Sequence, residues 1–259
     1  DRSMKKNVNS MKMKKLMLAT AIMGSVVGIT FLNVGTSYAA ESYITGSINS
    51  NKDWKDATEI SGWQYDVVDN DSTKCIIKPS SDAMKTGDVV IPSTIDGYTV
   101  VAVMNGAFEN CTGLTSVTLP DTCTELGGSA FAGCTGLTSI KGLENINYVG
   151  AKALKDCSSL TGKLTLGNLA VLEYGAFENC TGLTEIEIGN IENVYIQNLW
   201  TSGALSGYYV GVNHSPFTGC DNMKKLTLGD VENVSSAARG LSTSSRYYEI
   251  NDDSLFYGL

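Results

Sequence analysis

Apolar residues return along this chain at a fixed interval that is far longer than the period of a helix or a strand. Ala107, Phe108, Cys111 and Leu114 are followed 23 residues later by Ala130, Phe131, Cys134 and Leu137. The same spacing reaches Ala153, Leu154, Cys157 and Leu160, and then Ala176, Phe177, Cys180 and Leu183. Two more columns share it: Val100, Cys123, Ile146 and Leu169 form one, and Val103, Leu126, Val149 and Leu172 the other. A period in the twenties marks a solenoid, in which each repeat is one coil stacked on the next. The columns are apolar because the same place in every coil falls inside the core. Strands of neighbouring coils lie about 4.8 Å apart there, so equivalent side chains form ladders.

Inside each coil the run after the Leu column alternates. Val117 and Leu119 read as inward, Ser116 and Thr118 as outward, and Lys163 with Thr165, Glu185 with Glu187, and Lys225 with Thr227 fall on the same outward places. This predicts short parallel strands with one polar face. Ahead of the coils, Trp63, Tyr65 and Val67 alternate with polar residues, Asp69 to Ser72 supplies turn residues, and Cys75 and Ile77 alternate again. That pattern predicts a β-hairpin, placed to cover the apolar end of the first coil. Asp66, Asp69 and Asp71 belong to its turn, because the Gly and distal Glu of a calcium loop are missing at the needed spacing.

The run Ala-Phe-x-x-Cys-x-x-Leu-x-x-Ile-x-Ile, read over residues 63 to 259, resembles the BspA-like, or Treponema-type, leucine-rich repeat. The segment IPSTIDGYTVVAVMNGAF, residues 91–108, is similar to the lead-in to the first repeat of that family. The resemblance implies an α/β-type solenoid of mostly short β-strands with short helical turns and an N-terminal β-hairpin cap. It also implies a secreted or surface-exposed bacterial protein that binds host, matrix or neighbouring cells, with no catalytic residues to transfer.

Four segments follow. Residues 1–39 read as leader and signal peptide: MKMKK at 11–15 is basic, 16–34 is mostly apolar, and small residues end the run, with cleavage expected after Ala39. Residues 40–60 are polar and without period, which predicts a flexible arm; 61–90 hold the capping hairpin, and 91–259 the solenoid. The chain stops at SLFYGL, inside a coil whose Cys, Leu and strand do not arrive, so the C-terminal coil reads as incomplete.

Beyond Gly189 the period stretches, with 40 residues from Phe177 to Phe217 and 39 from Phe217 to Phe256. The two long repeats resemble each other, IEIGNIENV at 186–194 matching LTLGDVENV at 226–234. The inserts are thus a duplicated feature, and loops on a rigid scaffold are where binding concentrates. They carry Tyr195, Trp200, Tyr208, Tyr209, Arg239, Arg246, Tyr247 and Tyr248, the residue types enriched at binding hot spots. The competing surface is the polar strand face, Ser116, Thr118, Lys163, Thr165, Glu185, Glu187, Lys225 and Thr227. The aromatics could instead fold back over the flank of their own coil.

Charge narrows the partners. Six of the 19 Lys and Arg lie in the first 39 residues, which leaves 13 basic against 26 acidic side chains in the rest. A body this acidic speaks against nucleic acid and against anionic membranes. Five of the seven cysteines, at 111, 134, 157, 180 and 220, occupy one column, which predicts small buried thiols rather than a disulfide framework. Zinc spacing is missing, Gly162-Lys163 has no Ser or Thr after it to make a phosphate loop, and His214 is the sole histidine. No enzyme and no cofactor are expected. A protein, or a glycan on the flat aromatic rings, is the expected partner, with a structural spacer as the alternative.

Overall fold

Turn chemistry, recurring at matched places, bends each coil. The computed structural model describes residues 28–31, 54–69, 71–202 and 209–236. In chain order its strands are β1 (Gly28–Phe31), β2 (Lys55–Asp56), β3 (Trp63–Val68), β4 (Asp71–Pro79), β5 (Gly87–Val90), β6 (Thr94–Ile95), β7 (Tyr98–Val103), β8 (Leu114–Thr118) and β9 (Glu125–Leu126). They continue as β10 (Ser139–Lys141), β11 (Tyr148–Val149), β12 (Gly162–Leu166), β13 (Leu169–Leu172), β14 (Leu183–Ile188), β15 (Ile191–Ser202), β16 (Tyr209–His214), β17 (Lys225–Leu228) and β18 (Val231–Ser236). One long sheet runs β2-β3-β4-β7-β9-β11-β13-β15, and β18 and β16 both pair with β15. The opposite side of the solenoid carries two shorter sheets, β5-β8-β10 and β12-β14-β17-β1.

The third side of each coil is the Phe segment, and it is not helical. Among the described residues there is no α-helix, only two single 3-10 turns at Asp82–Lys85 and Leu143–Asn145. The short helical turns implied by the family resemblance are therefore corrected to chained tight turns, and the fold is a β-solenoid. Two causes combine. Left-handed backbone recurs four residues apart, at Gly106, Ser129, Lys152 and Gly175 and again at Asn110, Gly133, Asp156 and Asn179, and a right-handed helix cannot pass through it. Alternate N–H groups are also spent between coils: Phe108 N–H donates to the Ala130 carbonyl at 2.7 Å and Asn110 N–H to that of Ala132 at 2.7 Å. Phe131, Leu154 and Phe177 make the same bond to the coil after theirs.

The core lies between these three sides and holds every column read from the sequence. Phe108, Phe131, Leu154 and Phe177 are fully buried, and Phe108 stacks on Phe131 with centroids 5.1 Å apart and planes 9° apart. Phe217 stacks on Phe177 at 5.8 Å and 3°, so the stretched repeat returns to the common column. Coil contact is close enough that a Cβ on Gly182 would strike the Leu160 carbonyl oxygen.

At the N-terminal end, β3 and β4 pair antiparallel, and β4 continues into the solenoid by pairing parallel with β7. Trp63 is buried and meets Phe108 edge-on at 6.2 Å. Asp96 and Gly97, both at positive φ, make the two-residue turn between β6 and β7. The Asp96 carboxylate accepts the N–H groups of Thr58 and Glu59. Trp54 lies under the Lys78 ammonium, 4.1 Å from the ring centroid, so the segment from Trp54 to Glu59 is tied to this end. The signal-peptide and arm residues other than 28–31 and 54–60 lie outside the described residues.

Candidate binding surfaces

The outward face of β12, β14 and β17 gathers the charges expected of it. Pairing sets Lys163 beside Glu185 and Glu185 beside Lys225, with Thr165, Glu187 and Thr227 in the adjoining column. Lys163 Nζ lies 2.5 Å from Glu187 Oε2 and 3.6 Å from Glu185 Oε1, and Lys225 Nζ is 2.9 Å from the same Glu185 oxygen. The Lys225 ammonium, and after it that of Lys163, holds the Glu185 carboxyl below its usual range. The bond to Glu187 pushes Lys163 up. The charges answer one another along the ladder, and exposed bridges of this kind contribute little to stability. Thr227 departs from expectation: it is buried, with no hydrogen-bond partner for its hydroxyl oxygen.

Ser116 and Thr118 sit in the other short sheet, beside Ser139 and Lys141 of β10 and Asp88 and Val90 of β5. The strand face is thus two patches rather than one. Asp88 Oδ1 accepts the hydroxyls of Ser116 at 2.6 Å and Thr115 at 2.9 Å, which lowers its carboxyl, Ser116 first. Ser139 and Lys141 lie 23 residues beyond 116 and 118, so the repeat spacing could have found them. Asp88 and Val90 precede the first complete repeat and carry no such signal.

The first insert forms a β-hairpin. β15 enters the solenoid in register with β13, Leu169 opposite Ile191 and Leu172 opposite Val194, and then runs on unbroken to Ser202. At about 3.3 Å per residue, the stretch from Tyr195 onward reaches about 26 Å past its coil. β16 returns antiparallel, with Gln197 opposite His214, Trp200 opposite Gly211 and Ser202 opposite Tyr209. β18 opens the second insert in parallel register with β15, Val231 opposite Ile191 through to Ser236 opposite Ile196. Tyr195, Trp200 and Tyr209 therefore sit on this hairpin. Tyr208, Arg239, Arg246, Tyr247 and Tyr248 lie outside the described residues. Sequence reading placed the insert but missed its course, which depends on a strand partner.

The cysteine column has a feature that apolarity alone does not predict. The thiols of Cys134, Cys157, Cys180 and Cys220 donate to the carbonyl oxygens of Phe108, Phe131, Leu154 and Phe177 in the preceding coil, at 3.0 to 3.2 Å. All seven cysteines are free and buried. Burial pushes the thiols of Cys134 and Cys220 up to about 12. The Phe turn, the thiol bond to the coil before and the strand after Leu recur as one unit, and residues 88–202 match the family model described as BspA type Leucine rich repeat region, in 6 copies. Residues 88–202 are a BspA-type leucine-rich repeat region.

Solved structures with similar repeats include a leucine-rich repeat protein of T. pallidum, 24% identical over 65% of this chain and 83% of its own, with a TM-score of 0.44. A leucine-rich repeat protein from Bacteroides capillosus ATCC 29799 is 16% identical over 67% of this chain and 99% of its own, at 0.39. A leucine rich cell surface protein from Faecalibacterium prausnitzii A2-165 is 17% identical over 68% of this chain and 55% of its own, at 0.42. No curated protein matches. None of these likenesses assigns a ligand. Within the leucine-rich repeat solenoid, Ser215, which follows the sole histidine, is buried and accepts the Phe217 N–H at its Oγ, a turn-closing role.

Proposed function

We propose that this leucine-rich repeat protein is secreted or held at the cell surface and binds partner proteins through its paired inserts. The observation that carries the reading is the unbroken course of β15. A strand that continues past its pairing with β13 and then pairs with β16 carries Tyr195, Trp200 and Tyr209 on one hairpin. The parallel start of the second insert, β18, sets a matching element beside it. Tyr and Trp on a rigid ribbon supply large contact area at low entropic cost. The strand face is the weaker candidate because Lys163, Glu185, Glu187 and Lys225 already neutralise one another.

In this reading the β3–β4 hairpin is the cap of the first coil, with Trp63 closing the Phe column, and residues 1–39 are removed on export. Intact mass of protein from culture medium is expected to place the first residue at Ala40. A membrane-bound product that retains residues 11–39 would sink the secretion reading.

The binding test compares two double variants against one partner protein captured by the parent. Trp200→Ala with Tyr209→Ala is expected to weaken binding at least tenfold, about 1.4 kcal/mol or more, while Lys163→Ala with Glu185→Ala binds as the parent does. The opposite result would assign binding to the strand face. Full binding by both would place the site on neither of these surfaces and overturn the insert reading.

A further inference from the structure

The strands that carry the two inserts each begin directly after a Gly-Asn or Gly-Asp pair, Gly189-Asn190 before β15 and Gly229-Asp230 before β18, and Gly167-Asn168 holds the same place before β13. Side chains at this corner form a ladder. Asn168 Oδ1 accepts the N–H of Asn190 at 2.8 Å, and Asn190 Oδ1 accepts that of Asp230 at 2.9 Å. Backbone bonds close each rung from the other direction, with Leu169 N–H donating to the Asn190 carbonyl and Ile191 N–H to the Asp230 carbonyl, both at 2.8 Å. The glycines make room for the amides: a Cβ on Gly189 would strike Asn168 Oδ1, and one on Gly229 would strike Asn190 Oδ1. One repeat earlier the corner is built differently. Asn145, 23 residues before Asn168, donates its side-chain N–H back to the Asp121 carboxylate at 3.3 Å.

We propose that Asn168 and Asn190 are the positioning residues of the inserts: their side-chain oxygens fix the register in which β15 enters the long sheet and β18 stacks on β15. Apolar packing specifies little of that register. Ile191 with Val231 and Val194 with Val234 are apolar pairs, but Asn193 stands opposite Asn233, Tyr195 opposite Ser235 and Ile196 opposite Ser236. Strands whose faces are not clearly divided into apolar and polar are prone to slip. A clamp on the residues just before Ile191 and Val231 stops a slip where it would begin, at the point where both strands leave the corner. The bond to Asn190 N–H uses only the oxygen of the Asn168 amide, so Asp can serve in its place.

The seating stands on the hydrogen bonds alone; that it serves partner binding rests on the insert reading. The test follows hydrogen exchange, amide by amide, in the unliganded full chain and in Asn190→Ala, Asn168→Ala and Asn168→Asp. In Asn190→Ala the amide of Asp230 and the β18 amides bonded to β15 are expected to exchange about tenfold faster or more, while the bonded amides of Leu114–Thr118 keep their protection and report a folded solenoid. In Asn168→Ala the amide of Asn190 is expected to change by a similar factor, and Asn168→Asp to behave as the parent does. Faster exchange at Asp230 alone, with β18 as protected as in the parent, would show a bond that seats nothing and overturn the proposal. Loss of protection spread equally to Leu114–Thr118 would overturn it too, because the side chains would then serve only general stability. Asn168→Asp exchanging as fast as Asn168→Ala would do the same for the role of the oxygen. No partner is present in this experiment, so a failed binding test for Trp200 and Tyr209 leaves its result standing, and its failure leaves that binding test open.

Discussion

Replacing Phe177 by Ala is expected to lower the free energy of unfolding by about 3–5 kcal/mol. The ring is fully buried and lies parallel to that of Phe217, 5.8 Å away, with Leu154 of the preceding coil also buried in the same column. Collapse around the missing ring is resisted, because Phe177 N–H is bonded to the Pro216 carbonyl at 2.7 Å and Leu154 N–H to the Ala176 carbonyl at 2.8 Å. The cavity therefore persists. A solenoid is held only by contacts between neighbouring coils, so the loss falls on the junction between the short repeats and the insert-bearing one. Urea unfolding, followed by circular dichroism and by tryptophan fluorescence in a background where Trp54 and Trp200 are replaced by Phe so that Trp63 at the far end reports alone, measures both effects. A loss below about 1 kcal/mol would mean that the column is not the packed core described above.

Alkaline pH is expected to destabilise the fold steeply. Burial raises the thiols of Cys75, Cys123, Cys134 and Cys220 to about 12 and pushes those of Cys157 and Cys180 up as well. In the unfolded chain these groups ionise near pH 8.5–9. Above that pH the unfolded state sheds protons that the folded state keeps, so stability is whole below about pH 8 and falls as pH rises through the window to about 12. Each such thiol contributes a slope of about 1.4 kcal/mol per pH unit inside that window. Comparing urea unfolding at pH 8 and pH 10 for the parent and for Cys157→Ala isolates one thiol from the tyrosines and lysines. The variant's stability should fall less steeply by about that amount. Identical slopes would show that the Cys157 thiol ionises within the folded protein.

The columns of Ala, Phe, Cys and Leu were legible in the sequence because burial in a stack imposes one residue class at one interval, and no other information is needed. The Phe segment was misread as helical for a reason that is not local: its alternate N–H groups bond to the next coil. A signal was nonetheless present. Asn110, Gly133, Asp156, Asn179 and Gly219 form a column of residue types that tolerate left-handed backbone, and all five adopt it. The candidate surfaces were half legible. Repeat spacing gave the register of Lys163, Glu185 and Lys225, but the continuation of β15 to Ser202 depends on its pairing with β16. The burial of Thr227 coincides with a strand, β1, drawn from the other end of the chain.

One interruption in the stack has a mechanical meaning. β10 ends at Lys141, where Gly142 at φ 88° and the turn Leu143–Asn145 follow, and β12 opens with a register shift between Gly162 and Lys163. The two strands do not pair, so the polar-faced sheets are separate. Across that seam the coils are joined by the β11–β13 pairing and by bonds such as Phe131 N–H to the Ala153 carbonyl and Gly133 N–H to the Lys155 carbonyl. Tension applied along the solenoid axis is shared by three hydrogen-bonded sides at the other junctions between coils that carry a Phe segment, but by two at this level. Among the coils that carry a Phe segment the seam is thus the weakest level, and load is expected to open the stack there into two coherent pieces before either loses its own ladders.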